Sequence, residues 1–160
     1  MLTDEFPTVV RSVTCTTRAP RPNEKNGVDY YFLTEDEFQK KLAAGDFLEH
    51  ATVFGNHYGT SKELVEKELS QGKNVILVID VQGAEQLRGK LDATFIFISP
   101  PNLDELKKRL VSRGTENTAS LEKRLASARH ELEMISHYDY HVVNDDLQAA
   151  YQALKKIIIR

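Results

Sequence analysis

The sequence predicts an α/β fold, in which helices cover a parallel sheet and a small α+β lobe interrupts the main layer. Three observations support this prediction. The segment NVILVID has apolar residues at five consecutive positions, which is typical of a strand buried on both faces. Predicted strands and helices alternate along most of the chain, as crossover connections between parallel strands require. Residues 28–60 depart from this alternation with two short strands around one helix, which indicates the small lobe.

Strand, capping and turn signals define the first half of the chain. The predicted elements are, in order, the end of a helix at MLTDEFPT, a strand over Val9–Thr16, a loop over APRPNEKNG, a strand over VDYYFL, a helix ending at Gly45, a strand over Phe47–Phe54, a turn at GNHYGT and a helix ending at Gly72. Thr34 with Glu37, and Thr60 with Glu63, have the three-residue spacing of capping boxes. Each pair therefore predicts a helix start.

The second half continues the alternation of strands and helices. The predicted elements are the NVILVID strand, a short helix over QGAEQLRGK, a strand over TFIFIS, a helix capped by Asn102 and Glu105, a loop at RGTENT, a charged helix over about Ser120–Ser136, a strand over YHVVN and a final helix over Leu147–Ile158. The order of these elements favours a parallel sheet with right-handed crossovers.

Composition limits the classes of function. A chain of 160 residues that is 41% hydrophobic can form one α/β domain with a core. Its net charge of -3 gives no electrostatic reason to expect a nucleic-acid polymer or an anionic membrane as partner. The single Cys15 cannot form an internal disulfide, and no apolar run approaches the roughly 20 residues of a membrane helix. We therefore expect a cytoplasmic protein.

Two arginines near the first strand are candidates for binding a phosphate. Arg18 and Arg21 follow a hydroxyl-rich stretch and flank a proline. Guanidinium groups can bind a phosphate through two parallel hydrogen bonds, and nearby hydroxyls can complete the site. The alternative is a β-branched strand that ends in solvated arginines.

Two acids and a threonine are candidates for reading a base. Glu49, Thr60 and Asp80 offer two carboxylates and a hydroxyl, which match guanine because its N1 and N2 donate hydrogen bonds and its O6 accepts one. Such a site can reject a mismatched base by roughly 10⁴-fold. The alternative for Glu49 is an exposed strand carboxylate, whereas Asp80 ends a predicted parallel strand, where ligands commonly bind.

Three further arginines lie on either side of the RGTENT loop. Arg109, Arg113 and Arg124 could neutralise charge on a phosphoryl group in transfer. The i, i+4 spacing of Arg109 and Arg113 places both on one helix face. The alternative is a solvated, charged helix.

Taken together, these stretches resemble the guanylate kinase family over essentially the whole chain. The matching segments are SVTCTTRAPRPNEKNGVDYYF, GDFLEHATVFGNHYGTS, VILVIDVQGA, FIFISPPNLDELKKRLVSRGTE and YDYHVVNDDL. The resemblance implies a P-loop-kinase-like doubly wound parallel sheet with a helical lid. It divides a single domain of residues 1–160 into a core (1–23, 67–108 and 125–160), a GMP-binding lobe (24–66) and a lid (109–124).

The resemblance also implies roles for individual residues. Those that would bind the GMP phosphate are Arg18, Arg21, Tyr30 and Tyr58. Those that would read guanine are Thr14, Glu49, Thr60 and Asp80. The lid arginines acting on the ATP phosphates would be Arg109, Arg113 and Arg124, with Asn144 near adenine and Mg²⁺ entering as Mg-ATP.

Two departures from the family pattern are visible. Val78 stands where many relatives have an acid, and no GxxxxGK[ST] motif occurs in these 160 residues. In the family that loop holds the ATP phosphates. We therefore expect that roughly thirty upstream residues are missing by family analogy, and that this chain alone turns over weakly or not at all.

The sequence leaves three functional hypotheses open. The first is an ATP:GMP phosphotransferase that gives GDP and ADP. The second is a guanylate-kinase-like scaffold module that binds phosphopeptides, which the presence of Glu49, Asp80 and the lid arginines disfavours. The third is a destabilised fragment without activity. Oligomeric state is not predicted.

Overall fold

The computed structural model describes residues 1–112 and 118–159, and the chain divides into two compact units, Met1–Leu91 and Asp92–Arg160. The helices are α1 (Leu2–Glu5), α2 (Glu35–Ala43), α3 (Lys62–Ser70), α4 (Val81–Leu87), α5 (Leu103–Ser112), α6 (Thr118–Glu133) and α7 (Leu147–Ile158), with a 3₁₀ helix at Met134–His137. The strands are β1 (Val9–Arg11), β2 (Cys15–Thr16), β3 (Tyr31–Phe32), β4 (Phe47–Val53), β5 (Asn56–Ser61), β6 (Asn74–Ile76), β7 (Ile96–Ser99) and β8 (Tyr140–Val143). The predicted α/β class is confirmed. No helix among the described residues is both long and apolar enough to cross a membrane.

The first unit contains a four-stranded sheet in the order β3-β2-β5-β4 and a separate parallel pair, β1 with β6. The prediction of a single strand over Val9–Thr16 is wrong, because this segment contains two strands, β1 and β2, in different sheets. Val9–Arg11 pairs with Asn74–Ile76, whereas Cys15–Thr16 pairs with β3 and β5. The chain therefore leaves one sheet and enters another within this segment.

The turn predicted at GNHYGT is a strand. Asn56–Ser61 forms an antiparallel ladder with β4, and the turn between them consists of Phe54 and Gly55, with φ angles of 49° and 81°. Two residues with positive φ match the twist of a tight hairpin. The residues of this segment are mostly polar, so the sequence lacks the alternation of apolar and polar residues that usually indicates a strand.

The NVILVID segment is less buried than its composition predicts. Only Asn74–Ile76 is in a strand, its apolar side chains are half-buried, and Val78 is 64% exposed. Among the described residues, this strand pairs with β1. The side chains of a strand with one partner have fewer neighbours than those of a central strand, which accounts for the partial burial.

Helix α2 covers one face of the four-stranded sheet. Thr34 caps this helix, and its hydroxyl accepts a hydrogen bond from the backbone N–H of Glu37, as predicted. Phe38 is fully buried and stacks on Phe47 and His57, with ring centroids 4.6 and 5.3 Å apart. This aromatic layer leaves the opposite face of the sheet for other groups.

The start of α3 differs by one residue from the predicted capping box. The N-cap is Ser61, whose side chain accepts a hydrogen bond from the N–H of Leu64. Thr60 has a different partner, described below. In the second unit, β7 and β8 pair in parallel, and the predicted cap of α5 is confirmed by the bond from the Glu105 N–H to Asn102 Oδ1.

Candidate functional site

Five of the residues singled out in the sequence share one face of the four-stranded sheet. Tyr58 and Thr60 lie two apart on β5, so they point to the same side. The registers place Glu49 opposite Thr60 and Thr16 opposite Tyr58. Thr14 lies two residues before Thr16, and it is therefore placed on the same face. Tyr30 lies two residues before Phe32, the pairing partner of Thr16, and is placed on this face for the same reason. This face is opposite to the one that α2 covers.

Glu49 and Thr60 form a buried polar pair on this face. They are 3% and 1% exposed, and the Thr60 hydroxyl donates a hydrogen bond of 2.5 Å to Glu49 Oε1. Burial raises the pKa of Glu49 above its ordinary value, the negative charge of Asp80 adds to this, and the bonds from Thr60 partly oppose it. The exposed-carboxylate alternative for Glu49 is therefore wrong.

Asp80 reaches this pair because α4 lies along the edge strand β4. Asp80 is the N-cap of α4 and accepts a hydrogen bond of 3.0 Å from the Gly83 N–H. The Gln86 amide accepts a bond from the His50 N–H and donates one to the His50 carbonyl, at 3.1 and 2.6 Å. One side chain thus satisfies both outward-facing backbone groups of an edge-strand residue and fastens the helix there.

Arg18 lies at the centre of a second cluster. One terminal nitrogen of its guanidinium donates to both oxygens of Glu24 at 2.9 Å, and the other donates to the Ala19 carbonyl at 2.8 Å. Its guanidinium carbon lies 5.2 Å from the ring centroid of Tyr30. Hydrogen bonding to Glu24 raises the pKa of Arg18, with a further contribution from Tyr58. The group therefore keeps its positive charge.

Arg21 and the two tyrosines complete this cluster. The Arg21 N–H donates to Glu24 Oε2 at 2.8 Å, and its guanidinium lies 3.8 Å from Oε1 of the same carboxylate. The Arg21 side chain is 51% exposed. The rings of Tyr30 and Tyr58 are 6.2 Å apart, edge to face. Two cations and two phenols next to one another can bind a phosphate.

The two clusters are joined by β5, which contributes Tyr58 to one and Thr60 to the other. Thr14 lies on the neighbouring segment, where its carbonyl accepts a bond of 2.9 Å from the Tyr31 N–H. One end of this face can therefore hold a phosphate, and the other presents carboxylate and hydroxyl groups to a base with N–H donors. This is the chemistry that a purine monophosphate with a guanine-like edge requires.

In the second unit, the structure brings Arg109 and Asn144 together. The Arg109 guanidinium donates to Glu105 Oε1 at 3.0 Å and to the backbone carbonyls of Asn144 and Asp145 at 2.8 and 3.3 Å. The Asn144 N–H donates in turn to the Ser99 carbonyl at 2.7 Å. Arg109 therefore links α5 to the segment that follows β8.

The structure describes only one of the other two predicted lid arginines. Arg124 lies on α6 and is half-buried. Arg113 lies outside the described residues.

Two residues near the site were missed in the sequence. Glu24 holds both arginines, and an acid three residues after Arg21 in a loop was the signal that could have revealed it. Gln86 fixes α4 against β4, and nothing in the sequence distinguishes it from a solvated helix glutamine. Both act through their neighbours.

Comparison with known proteins gives a consistent result. The family model described as guanylate kinase matches residues 1–160. The guanylate kinase of Protochlamydia amoebophila (strain UWE25) is 57% identical over 159 residues, covering 99% of this chain and 81% of the relative. That of Bacillus subtilis (strain 168) is 48% identical over 149 residues, covering 92% and 73%.

A solved structure agrees in fold. The crystal structure of guanylate kinase from Anaplasma phagocytophilum superposes with a TM-score of 0.83 at 34% identity, covering 98% of this chain and 78% of that one. The scaffold-module alternative is not favoured by relatives that are named as kinases. This chain belongs to the guanylate kinase family.

Proposed function

We propose that this chain binds GMP on the face of its four-stranded sheet that lies opposite α2, as the acceptor site for phosphoryl transfer from ATP. In that reaction an oxygen of the GMP phosphate attacks the γ-phosphorus of ATP in line, the bond to the β-phosphate oxygen breaks, and the products are GDP and ADP. No covalent enzyme intermediate is needed, so the protein contributes positioning and charge stabilisation.

The observation that carries the proposal is the buried Glu49–Thr60 pair on the same sheet face as Tyr30 and Tyr58. We assign guanine to Glu49, Thr60, Asp80 and Thr14. A carboxylate accepts from guanine N1–H or N2–H, whereas adenine presents an acceptor at N1 and would face the carboxylate lone pairs. Buried groups left unpaired in this way are costly, so the site discriminates between the bases.

We assign the GMP phosphate to Arg18, Arg21, Tyr30 and Tyr58. The guanidinium of Arg18 is oriented by Glu24 and by the ring of Tyr30, so little side-chain freedom is lost when the phosphate binds. Arg21 is half-exposed and provides a second cation. The phenol hydroxyl groups can donate to the remaining phosphate oxygens.

On the ATP side we propose Arg109, Arg113 and Arg124 as lid arginines, and Asn144 beside adenine. The support is the direct bond between Arg109 and the Asn144 carbonyl, which places one lid candidate and the adenine candidate in one cluster. Arginine guanidinium groups placed near a phosphoryl group in transfer stabilise its charge.

Mg²⁺ is proposed as part of Mg-ATP, because phosphate oxygens are ligands that the ion prefers. Within residues 1–112 and 118–159, no group of three or more His, Cys, Asp or Glu side chains is placed to hold a metal ion.

The division into core, GMP lobe (24–66) and lid (109–124) also remains a proposal. We further propose a cytoplasmic location, since the free thiol of Cys15 suits a reducing compartment. The partners proposed are GMP and ATP, with neither a nucleic-acid polymer nor a membrane.

Isothermal titration of the chain with GMP, AMP and a phosphoserine peptide tests the proposal. We expect GMP to bind at least about 100-fold more tightly than AMP, a threshold below the roughly 10⁴-fold discrimination that buried polar readers can provide. The peptide should bind more weakly than GMP. Equal affinity for the two nucleotides, or preference for the peptide, would contradict the proposed function.

A further inference from the structure

Gly83 is a helical glycine whose backbone does not require glycine. It lies in the first turn of α4, and its φ angle is outside the left-handed region. Alanine in such a position would favour the helix, because glycine loses more backbone freedom on folding. The presence of glycine here is therefore explained by the space available around it.

The space beside Gly83 is filled by the carboxylate of Glu49. A methyl group at position 83 would overlap Glu49 Oε2, would lie 3.0 Å from its Cδ and 3.3 Å from Ile79 Cβ. A flexible carboxylate could normally turn away from such a group. Glu49 is 3% exposed and bonded to Thr60 through its other oxygen, so moving it breaks that bond.

The helix cannot easily move away either. Gln86 holds α4 to both backbone groups of His50, and Gln82 donates to the Thr52 carbonyl at 3.4 Å. Gln82 also donates to Asp80 Oδ2 at 3.0 Å. The distance between α4 and β4 is therefore set by side-chain amides on the helix, and Gly83 is the residue that allows that distance.

We propose that Gly83 is a specificity-determining position, which acts by giving the Glu49 carboxylate its place beside Asp80, with Gln86 holding the helix at the required distance. This inference rests on the proposed function, because the consequence is a change in base reading. Gly83 is a positioning residue, since it contributes no atom that pairs with the base.

The test is the ratio of the dissociation constants of AMP and GMP, measured by calorimetry. Both nucleotides carry the same ribose phosphate, so the phosphate site cancels in the ratio and only base reading remains. We expect Gly83→Ala to lower the ratio at least about 10-fold, mainly through weaker GMP binding. Glu85→Ala, on the exposed side of the same helix, should leave the ratio unchanged.

A rescue variant separates positioning from general damage. In Glu49→Asp the carboxylate is one methylene shorter, which leaves room for a methyl group at position 83. In the Glu49→Asp background, Gly83→Ala should therefore lower the ratio of the AMP and GMP dissociation constants by less than about 2-fold. The same substitution has a larger effect in the wild-type chain, and such non-additivity is expected of residues in contact.

Gln86→Ala provides a second route if Gly83→Ala does not fold. It removes the hydrogen bonds that hold α4 and adds no atoms, and it should also lower the ratio. Folded variants with an unchanged ratio, or with GMP and AMP weakened equally, would overturn the inference. A wild-type chain that does not prefer GMP would instead contradict the proposed function itself.

Discussion

At the scale of single residues, Glu49 combines a proposed role in base reading with an environment that disfavours its charge. Its raised pKa means that ionising it in the folded chain costs more than in the unfolded chain. Protonated Glu49 therefore favours the folded state. This contribution to the free energy of unfolding is fully present below the pKa that Glu49 has in the unfolded chain, and it is lost as the pH rises through the pKa in the folded chain. A buried carboxylate at neutral pH destabilises the fold, a cost that the proposed base reading would explain.

Glu49→Gln should raise the thermal midpoint at pH 7 by a few degrees and abolish the preference for GMP. The amide retains the shape and can still accept a bond from Thr60, but it carries no charge to be desolvated. Differential scanning fluorimetry at pH 7 and near pH 4 measures the effect. The difference between variant and wild type should shrink at the lower pH, and a variant less stable than wild type at pH 7 would contradict the account.

The same pKa predicts how binding depends on pH. As the pH falls towards the raised pKa of Glu49, the carboxyl is protonated and loses acceptor capacity for guanine N–H groups. Guanosine is the suitable ligand, because the phosphate of GMP titrates with a pKa of about 6 itself. Guanosine affinity should fall with decreasing pH already above pH 4.5, the ordinary value for Glu. Affinity independent of pH down to that value would be inconsistent with a buried, base-reading Glu49.

Glu24 offers a second residue-scale prediction. It holds Arg18 with both oxygens and the Arg21 backbone with one. Glu24→Ala should weaken GMP binding about 10-fold, because a charge-assisted bond worth about 1.5–3 kcal/mol no longer orients Arg18. Guanosine binding should be unaffected, and Lys25→Ala is the matched control in the same loop. Tighter GMP binding would instead show that Glu24 competes with the phosphate.

At the scale of elements, Arg109 ties a helix to a strand end. Its guanidinium bonds to Glu105 and to two carbonyls after β8, so it secures the segment at Asn144. Arg109→Lys should speed hydrogen exchange of the Asn144 amide by about 10-fold, since an ammonium cannot reproduce a planar fork with several donors. Lys108→Ala, whose side chain is 78% exposed, should leave that exchange unchanged. Equal protection in the Arg109 variant would argue against this linkage.

Elements with strong local signals were predictable, and those defined by distant partners were not. The caps at Thr34 and Asn102 follow from spacing alone, and both are confirmed. The face shared by Glu49 and Thr60 depends on the register of β4 with β5, which the polar sequence of β5 concealed. The contact of Gly83 with Glu49 joins residues 34 positions apart and leaves no local signal.

At the scale of the whole molecule, the candidate site in Met1–Leu91 combines residues of β4 and β5, of the segments next to β2 and β3, and of the N-cap of α4. Residue chemistry and the resemblance to the family predicted the candidate residues, whereas the structure shows that Glu49, Tyr58 and Thr60 share a sheet face and that Gln86 holds α4 along the edge of that sheet. Arg109 and Asn144 form a cluster of their own within Asp92–Arg160. Each unit therefore has its own candidate nucleotide contacts.

The proposed GMP site can be examined directly in a crystal structure of the chain with GMP. We expect the guanine edge to lie within about 3 Å of carboxylate oxygens of Glu49 and Asp80, a hydrogen-bonding distance. The phosphate should contact Arg18 and Arg21. GMP bound elsewhere, or bound with its base away from Glu49, would contradict the account.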